Sequence, residues 1–181
     1  MGINLATCDD ISRLLFSHSK KQCIFISHKK EDEGPAIAIG EYLTGDADIN
    51  IYLDLYDVEL REAVSRENDE KIVRSINKGL EYSTHLLCLI SDKTKLSWWV
   101  PYEIGFSAKK DIDIASLKLK TIDDIPSYLK INKVLYSVDD FIRYASGISE
   151  YGALFSEKRY EVLSSKYDSV LRQYIDFGGN K

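Results

Sequence analysis

The sequence predicts a single α/β domain: a parallel sheet with helices on both faces. Three observations carry this. Short apolar runs without polar alternation, "QCIFIS" at 22–27, "INIYLD" at 49–54 and "THLLCLIS" at 84–91, read as strands covered on both sides. Segments with helical spacing lie between them, and alternating strands and helices build parallel sheets. The 181 residues, 44% hydrophobic and 29% charged, suffice for one real core and exclude a disordered or fibrous chain.

The first strand, 22–27, ends abruptly in the charged loop "HKKEDEG". Pro35 is suited to the first turn of a helix that Gly45 closes. The second strand, 49–54, ends on Asp54, and residues 55–67, "LYDVELREAVSRE", follow. Connections in compact α/β domains usually run ~2–6 residues, so this stretch reads as a functional loop. Asn68, Asp69 and Glu70 supply a cap and early acids for a helix through Tyr82, with Ile72, Val73, Ile76 and Leu80 on one face. After the third strand, Pro101 requires the next helix to start around Ser97–Trp99. A fourth strand is expected within 112–119 and a fifth in "KVLYSV", 133–138. A last helix, 156–175, carries Tyr160, Leu163, Tyr167, Val170, Leu171 and Tyr174 as a core stripe and stops at Gly178 and Gly179. Residues 1–21 form an N-terminal extension with a short helix in "CDDISRLLFSHS", and 22–181 form the main domain.

Several function classes fall away. A net charge of -5 and a pI near 5.3 argue against nucleic-acid binding. No apolar run approaches the roughly 18 residues of a membrane span, and the acids near the N-terminus do not suit a signal peptide, so a cytoplasmic protein is expected. Met1-Gly2 suggests myristoylation, but Ala6 stands where Ser or Thr is needed. The three cysteines, Cys8, Cys23 and Cys88, read as reduced thiols, and the three histidines lack partners at ligand spacing, so no metal is expected.

Ligands of such sheets bind beyond the carboxyl ends of the strands, here Ser27–His28, Asp54 and Ser91–Asp92. The helix after the third strand opens "SWWVPYEIGF", in which Glu103 is the only acid among apolar and aromatic neighbours. Burying an unpaired carboxylate is costly, so Glu103 is either a paired structural acid or a functional one. Trp99 lies one helical turn before it on the same face. Trp98 is expected to pack elsewhere.

The pieces "CIFISHKKED", "IYLD", "IVRSINKGLEYSTHLLCLIS" and "SWWVPYEIG", all within residues 22–110, resemble the TIR (Toll/interleukin-1 receptor) domain in order and spacing. Trp99-Val-Pro-Tyr-Glu103 matches the W-x-x-x-E pattern of TIR domains that cleave NAD. The resemblance implies a flavodoxin-like five-stranded sheet of order 2-1-3-4-5, with Glu103 catalytic and Trp99 beside it. It also implies that Ser27, His28, Lys29 and Lys30 lie near the nucleotide, although Glu31, Asp32 and Glu33 cancel the local charge and leave a solvated loop as the alternative. Asp54 ends its strand as an acid often does in the family, to meet substrate or, as we favour, to anchor the next loop. Residues 55–67 take the place of the TIR BB loop, which commonly mediates self-association.

The implied activity is cleavage of the nicotinamide–ribose bond, followed by hydrolysis or cyclisation of ADP-ribose into a signalling nucleotide. NAD is then the substrate, and no cofactor is implied. A protein of this size resembles the TIR component of Thoeris-type anti-phage systems, whose nucleotide product activates a separate effector protein. The alternative, from another class, is a non-catalytic adaptor acting by homotypic TIR contacts. Adaptors do not require the acid at 103. A phosphorylated receiver domain is excluded, because Ser27-His28-Lys29 stands where receivers carry paired acids.

Overall fold

The computed structural model describes residues 1–19, 21–149 and 169–177. Five parallel strands, β1 (Cys23–Ser27), β2 (Asn50–Tyr52), β3 (His85–Ile90), β4 (Asp113–Lys118) and β5 (Lys133–Leu135), form one sheet in the order β2-β1-β3-β4-β5. This is the expected α/β, flavodoxin-like order. Six helices are described: α1 (Asp10–Ser17), α2 (Glu33–Gly45), α3 (Val58–Ser65), α4 (Asp69–Glu81), α5 (Trp99–Lys109) and α6 (Val138–Ile148). None of the described helices is long and apolar enough to cross a membrane.

The period of two along each strand divides the core. Ile24 and Ile26 of β1 and Leu87 and Leu89 of β3 face one layer with Ile39 and Leu43 of α2 and Phe141 and Ile142 of α6. Cys23, Phe25, Leu86, Cys88 and Ile90 face the other, with Ile72, Ile76 and Leu80 of α4 and Val100 and Ile104 of α5. Phe25 and Tyr52 stack with centroids 5.6 Å apart, and Gly79 lets α4 lie close on that pair.

The caps follow ordinary chemistry. Asn68 accepts from the Lys71 N–H at the start of α4, and Ser137 accepts from the Asp140 N–H at the start of α6. Pro101 sits in the first turn of α5. The first residues close the free side of β2: the Ile51 N–H donates to the Ile3 carbonyl at 2.9 Å, and the Leu53 N–H donates to Asn4 Oδ1 at 3.1 Å.

Four differences from the sequence reading are structural findings. Residues 55–67 are not a loop: a 3-10 turn at Asp54–Tyr56 leads into α3, capped where Asp57 accepts the Leu60 N–H at 3.1 Å. Leu60 and Ala63 alone anchor α3 to the core, too few to show as periodicity. Strand β2 ends at Tyr52, so Asp54 begins that turn instead of closing the strand. Helix α6 was hidden because its start, Val138, was read as the end of the fifth strand. Trp98 does not pack; it is 90% exposed, directly before α5. The stripe from Tyr160 to Tyr167 lies outside the described residues, whereas Leu171 and Ile175 are buried against the α2–α6 layer.

Candidate active site

Strand register brings the site together. Ser27 occupies the same face of β1 as Cys23 and Phe25, and it pairs in register with Cys88 of β3. It therefore faces the α4–α5 layer at the carboxyl end of the sheet. Val100 and Ile104 hold α5 on that layer, and Glu103, 4% exposed, points to the strands with them. The Ser27 hydroxyl donates to Glu103 Oε2 in a short hydrogen bond.

Asp54 reaches the same region from the turn after β2. Its side chain is 22% exposed, but Oδ1 is buried and accepts no hydrogen bond. His28 lies beside it, nearly enclosed, with Nδ1 3.6 Å from Asp54 Oδ1 and 3.3 Å from the Ile26 carbonyl. At 3.6 Å the pair is electrostatic contact and not a hydrogen bond.

The electrostatics follow from two carboxylates crowded in a poorly solvated place. Burial pushes Glu103 up to about 8; the neighbouring Asp54 adds to the shift and the Ser27 hydroxyl opposes it. Burial also raises Asp54, with Asp57 adding and His28 opposing. Free Glu103 therefore holds a proton at neutral pH. Burial and the adjacent Glu103 push the Cys88 thiol upward as well, which makes Cys88 an unreactive wall below the site.

The remaining residues named from sequence sit further out. Trp99, 36% exposed, meets Tyr102 edge to face at 6.3 Å, and the Tyr102 hydroxyl donates to Asn77 of α4 at 2.7 Å. Lys29 is half-buried and pairs with Glu31 at 3.9 Å, while Lys30 is exposed. The structure thus brings Ser27, His28, Asp54 and Glu103 together and leaves the lysine pair at the loop. The acids of that loop are not simply solvated: Asp32 is buried and accepts from the Ser91 hydroxyl, tying the loop after β1 to the loop after β3.

Two contributors escaped the sequence. Asp57 is buried, accepting from the Tyr52 hydroxyl while capping α3. Its signal was the pattern of an acid three residues before Leu60 in a helix-forming run, hidden by reading 55–67 as a loop. Cys88 was placed in a strand, but only the register sets it below Ser27. Among the described residues, no group of three or more His, Cys, Asp or Glu side chains is gathered as a metal would need.

A family model described as Thoeris protein ThsB, TIR-like domain, matches residues 25–123. That span is more than half of the chain and contains Ser27, His28, Asp54, Trp99 and Glu103. No curated protein matches the chain.

Proposed function

We propose that this chain, which belongs to the Thoeris ThsB TIR-like domain family, cleaves the nicotinamide–ribose bond of NAD as the signal-producing enzyme of an anti-phage system. The observation that carries the proposal is Glu103: a buried carboxyl held by Ser27 at the carboxyl end of the sheet, one turn after Trp99.

The chemistry suits one carboxylate. Nicotinamide is bound in NAD as a cationic pyridinium and leaves as a neutral molecule, taking the electron pair of the glycosidic bond. No general acid is needed, in contrast to glycoside hydrolysis, where a second carboxyl protonates the leaving group. What remains is to stabilise the oxocarbenium-like charge on the ribose, the task of a fixed negative group in a poorly solvated site. A cationic substrate lowers the pKa of a nearby acid. Its arrival therefore favours release of the proton that free Glu103 holds. Ser27 fixes Oε2, leaving Oε1 for the ribose.

Asp54, whose Oδ1 accepts no hydrogen bond, supports a role in accepting from a ribose hydroxyl. His28, with Nδ1 3.6 Å away, opposes the upward shift that burial gives Asp54. Lys29 and Lys30 provide cations for the pyrophosphate, and Trp99 covers the ring side. Water then attacks the ribose carbon to give ADP-ribose, or a nucleophile of the same nucleotide attacks to close a ring. The product acts on a separate effector protein, and the enzyme works in the cytoplasm as a self-associated assembly.

The test is to incubate the purified protein with NAD and resolve the products by mass spectrometry. Nicotinamide and a stoichiometric ADP-ribose derivative are expected, and Glu103→Gln should reduce their formation by ~10²–10³-fold. A folded, stable Glu103→Gln protein that turns over NAD at the wild-type rate would return the chain to the adaptor reading.

A further inference from the structure

We infer that the cleft between α3 and α4 binds the phosphate groups of a nucleotide-sized small molecule. The cleft shares no lining residue with the site around Glu103, so the inference is independent of NAD cleavage there.

Sequence spacing builds the cleft. Glu59, Glu62, Ala63 and Arg66 recur at i, i+3, i+4 and i+7 along α3 and its C-terminal cap. Lys71, Arg74, Ser75 and Lys78 recur at the same spacing along α4, so two matching faces meet. Within each face stands one small buried residue, Ala63 and Ser75, where long apolar side chains would have closed the gap. The space between the helices is about 430 Å³, within the range of small-molecule sites.

Ser75 points to a ligand. It is 5% exposed, yet its hydroxyl forms no hydrogen bond among the described residues. A hydroxyl on a helix has a ready partner in the carbonyl four residues back, as Thr44 shows by donating to Gly40 at 2.9 Å. Ser75 leaves that partner unused. Polar groups buried this far are normally satisfied, so Ser75 offers its donor and acceptor to what occupies the cleft.

The charges select the ligand. Four cations and two acids line the cleft. Lys78 is held by Asp10 at 2.8 Å and by Glu59 at 3.1 Å. Arg66 lies 3.8 Å from Glu62, Arg74 lies 3.1 Å from Glu70, and both pairs are largely exposed. Such pairs contribute little and exchange readily for a phosphate, which a guanidinium grips through two N–H groups. Lys71 pairs with no acid among the described residues. Arg66, Lys71 and Arg74 therefore serve phosphate oxygens, with Ser75 donating from the buried side. The acids narrow the choice. Glu59 and Glu62 repel a bare polyanion, and Glu62 can accept from a hydroxyl or amino group carried by the same molecule. Phosphate at one end and hydrogen-bond donors at the other are the features of a nucleotide.

Titrating the 15N-labelled full chain with ADP, followed by amide chemical shifts, tests the inference. The amides of Ala63, Lys71 and Ser75 should move to saturation with ADP and stay still with adenosine. Combining Lys71→Ala with Arg74→Ala should raise the half-saturating ADP concentration ~10-fold or more. The melting temperature should not change, because exposed charges add little stability. Ser75→Ala should raise half-saturation by ~3–10-fold with α4 intact. Amides that do not respond to ADP overturn the inference. So does half-saturation indifferent to these variants, or an equal response to sulfate, which would mean unselective attraction of ions. Shifts confined to the surroundings of Ser27 and Glu103 would overturn it too, while leaving the NAD proposal standing. Absence of NAD turnover, in turn, leaves the expected response of Ala63, Lys71 and Ser75 unchanged.

Discussion

The proton on Glu103 is the point on which two neighbours act in opposite directions. Ser27 donates to the carboxylate and favours its charged form, whereas the Asp54 charge disfavours it. Removing either should move the pH profile oppositely. The pH dependence of kcat/KM reports the free enzyme, so wild-type NAD cleavage should rise with pH and level off above about 8. Ser27→Ala should displace that rise to higher pH and Asp54→Asn to lower pH; two variants shifting the same way would refute the assignment. Stability responds to the same proton. Between the ordinary 4.5 and the native value of about 8, the folded state keeps a proton that the unfolded chain has released, so native stability falls as pH rises through that window. Glu103→Gln removes this dependence. Thermal melts should show the variant gaining on the wild type from pH 5 to pH 8, and a constant difference would mean that Glu103 is ionised when folded. The residue was visible in the sequence as an acid among aromatics. Ser27 and Asp54 were placed at the same end of the sheet, but the Ser27–Glu103 hydrogen bond was not legible, because it spans 76 positions and depends on strand register.

Among the elements, helices α4 and α5 offer a paired test of packing against propensity. A Cβ on Gly79 would fall 2.6 Å from the Tyr52 ring and 2.9 Å from the Phe25 ring, both fully buried. Gly79→Ala should therefore destabilise by ~1–3 kcal/mol despite alanine's better helix propensity. A Cβ on Gly105 would meet nothing within 4 Å, so Gly105→Ala should stabilise by ~0.5–1 kcal/mol. Urea unfolding distinguishes the two, and equal signs would disprove the close approach of α4. The same contrast explains which elements were legible. Strands β1 and β3 are buried on both faces and announce themselves as apolar runs, and α4 combines a cap with a full stripe. Helix α3 rests on Leu60 and Ala63, and its cap lies inside a charged run, so local pattern could not separate it from a loop.

Across the whole molecule, α3 links the surface to the site. It starts at Asp57, three residues beyond Asp54, and Asp57 is fixed to Tyr52 in the core. Arg61 on it and Arg66 at its C-terminal cap are exposed, with Arg66 3.8 Å from Glu62. If assembly uses this segment, reversing both charges should reduce oligomer size by light scattering and NAD turnover together. Turnover falling with assembly intact, or neither changing, would refute the coupling. The covering of β2 by the first residues limits what that assembly can be. A sheet with two open edges can add strands end after end and grow into a fibre. Here one edge has its own stopper, Ile3 and Asn4, and the other is the three-residue β5, beyond which no strand pairs among the described residues. Strand-to-strand joining between copies would stop at a β5–β5 pair, so any longer filament has to be built from helix faces, leaving each sheet a closed unit.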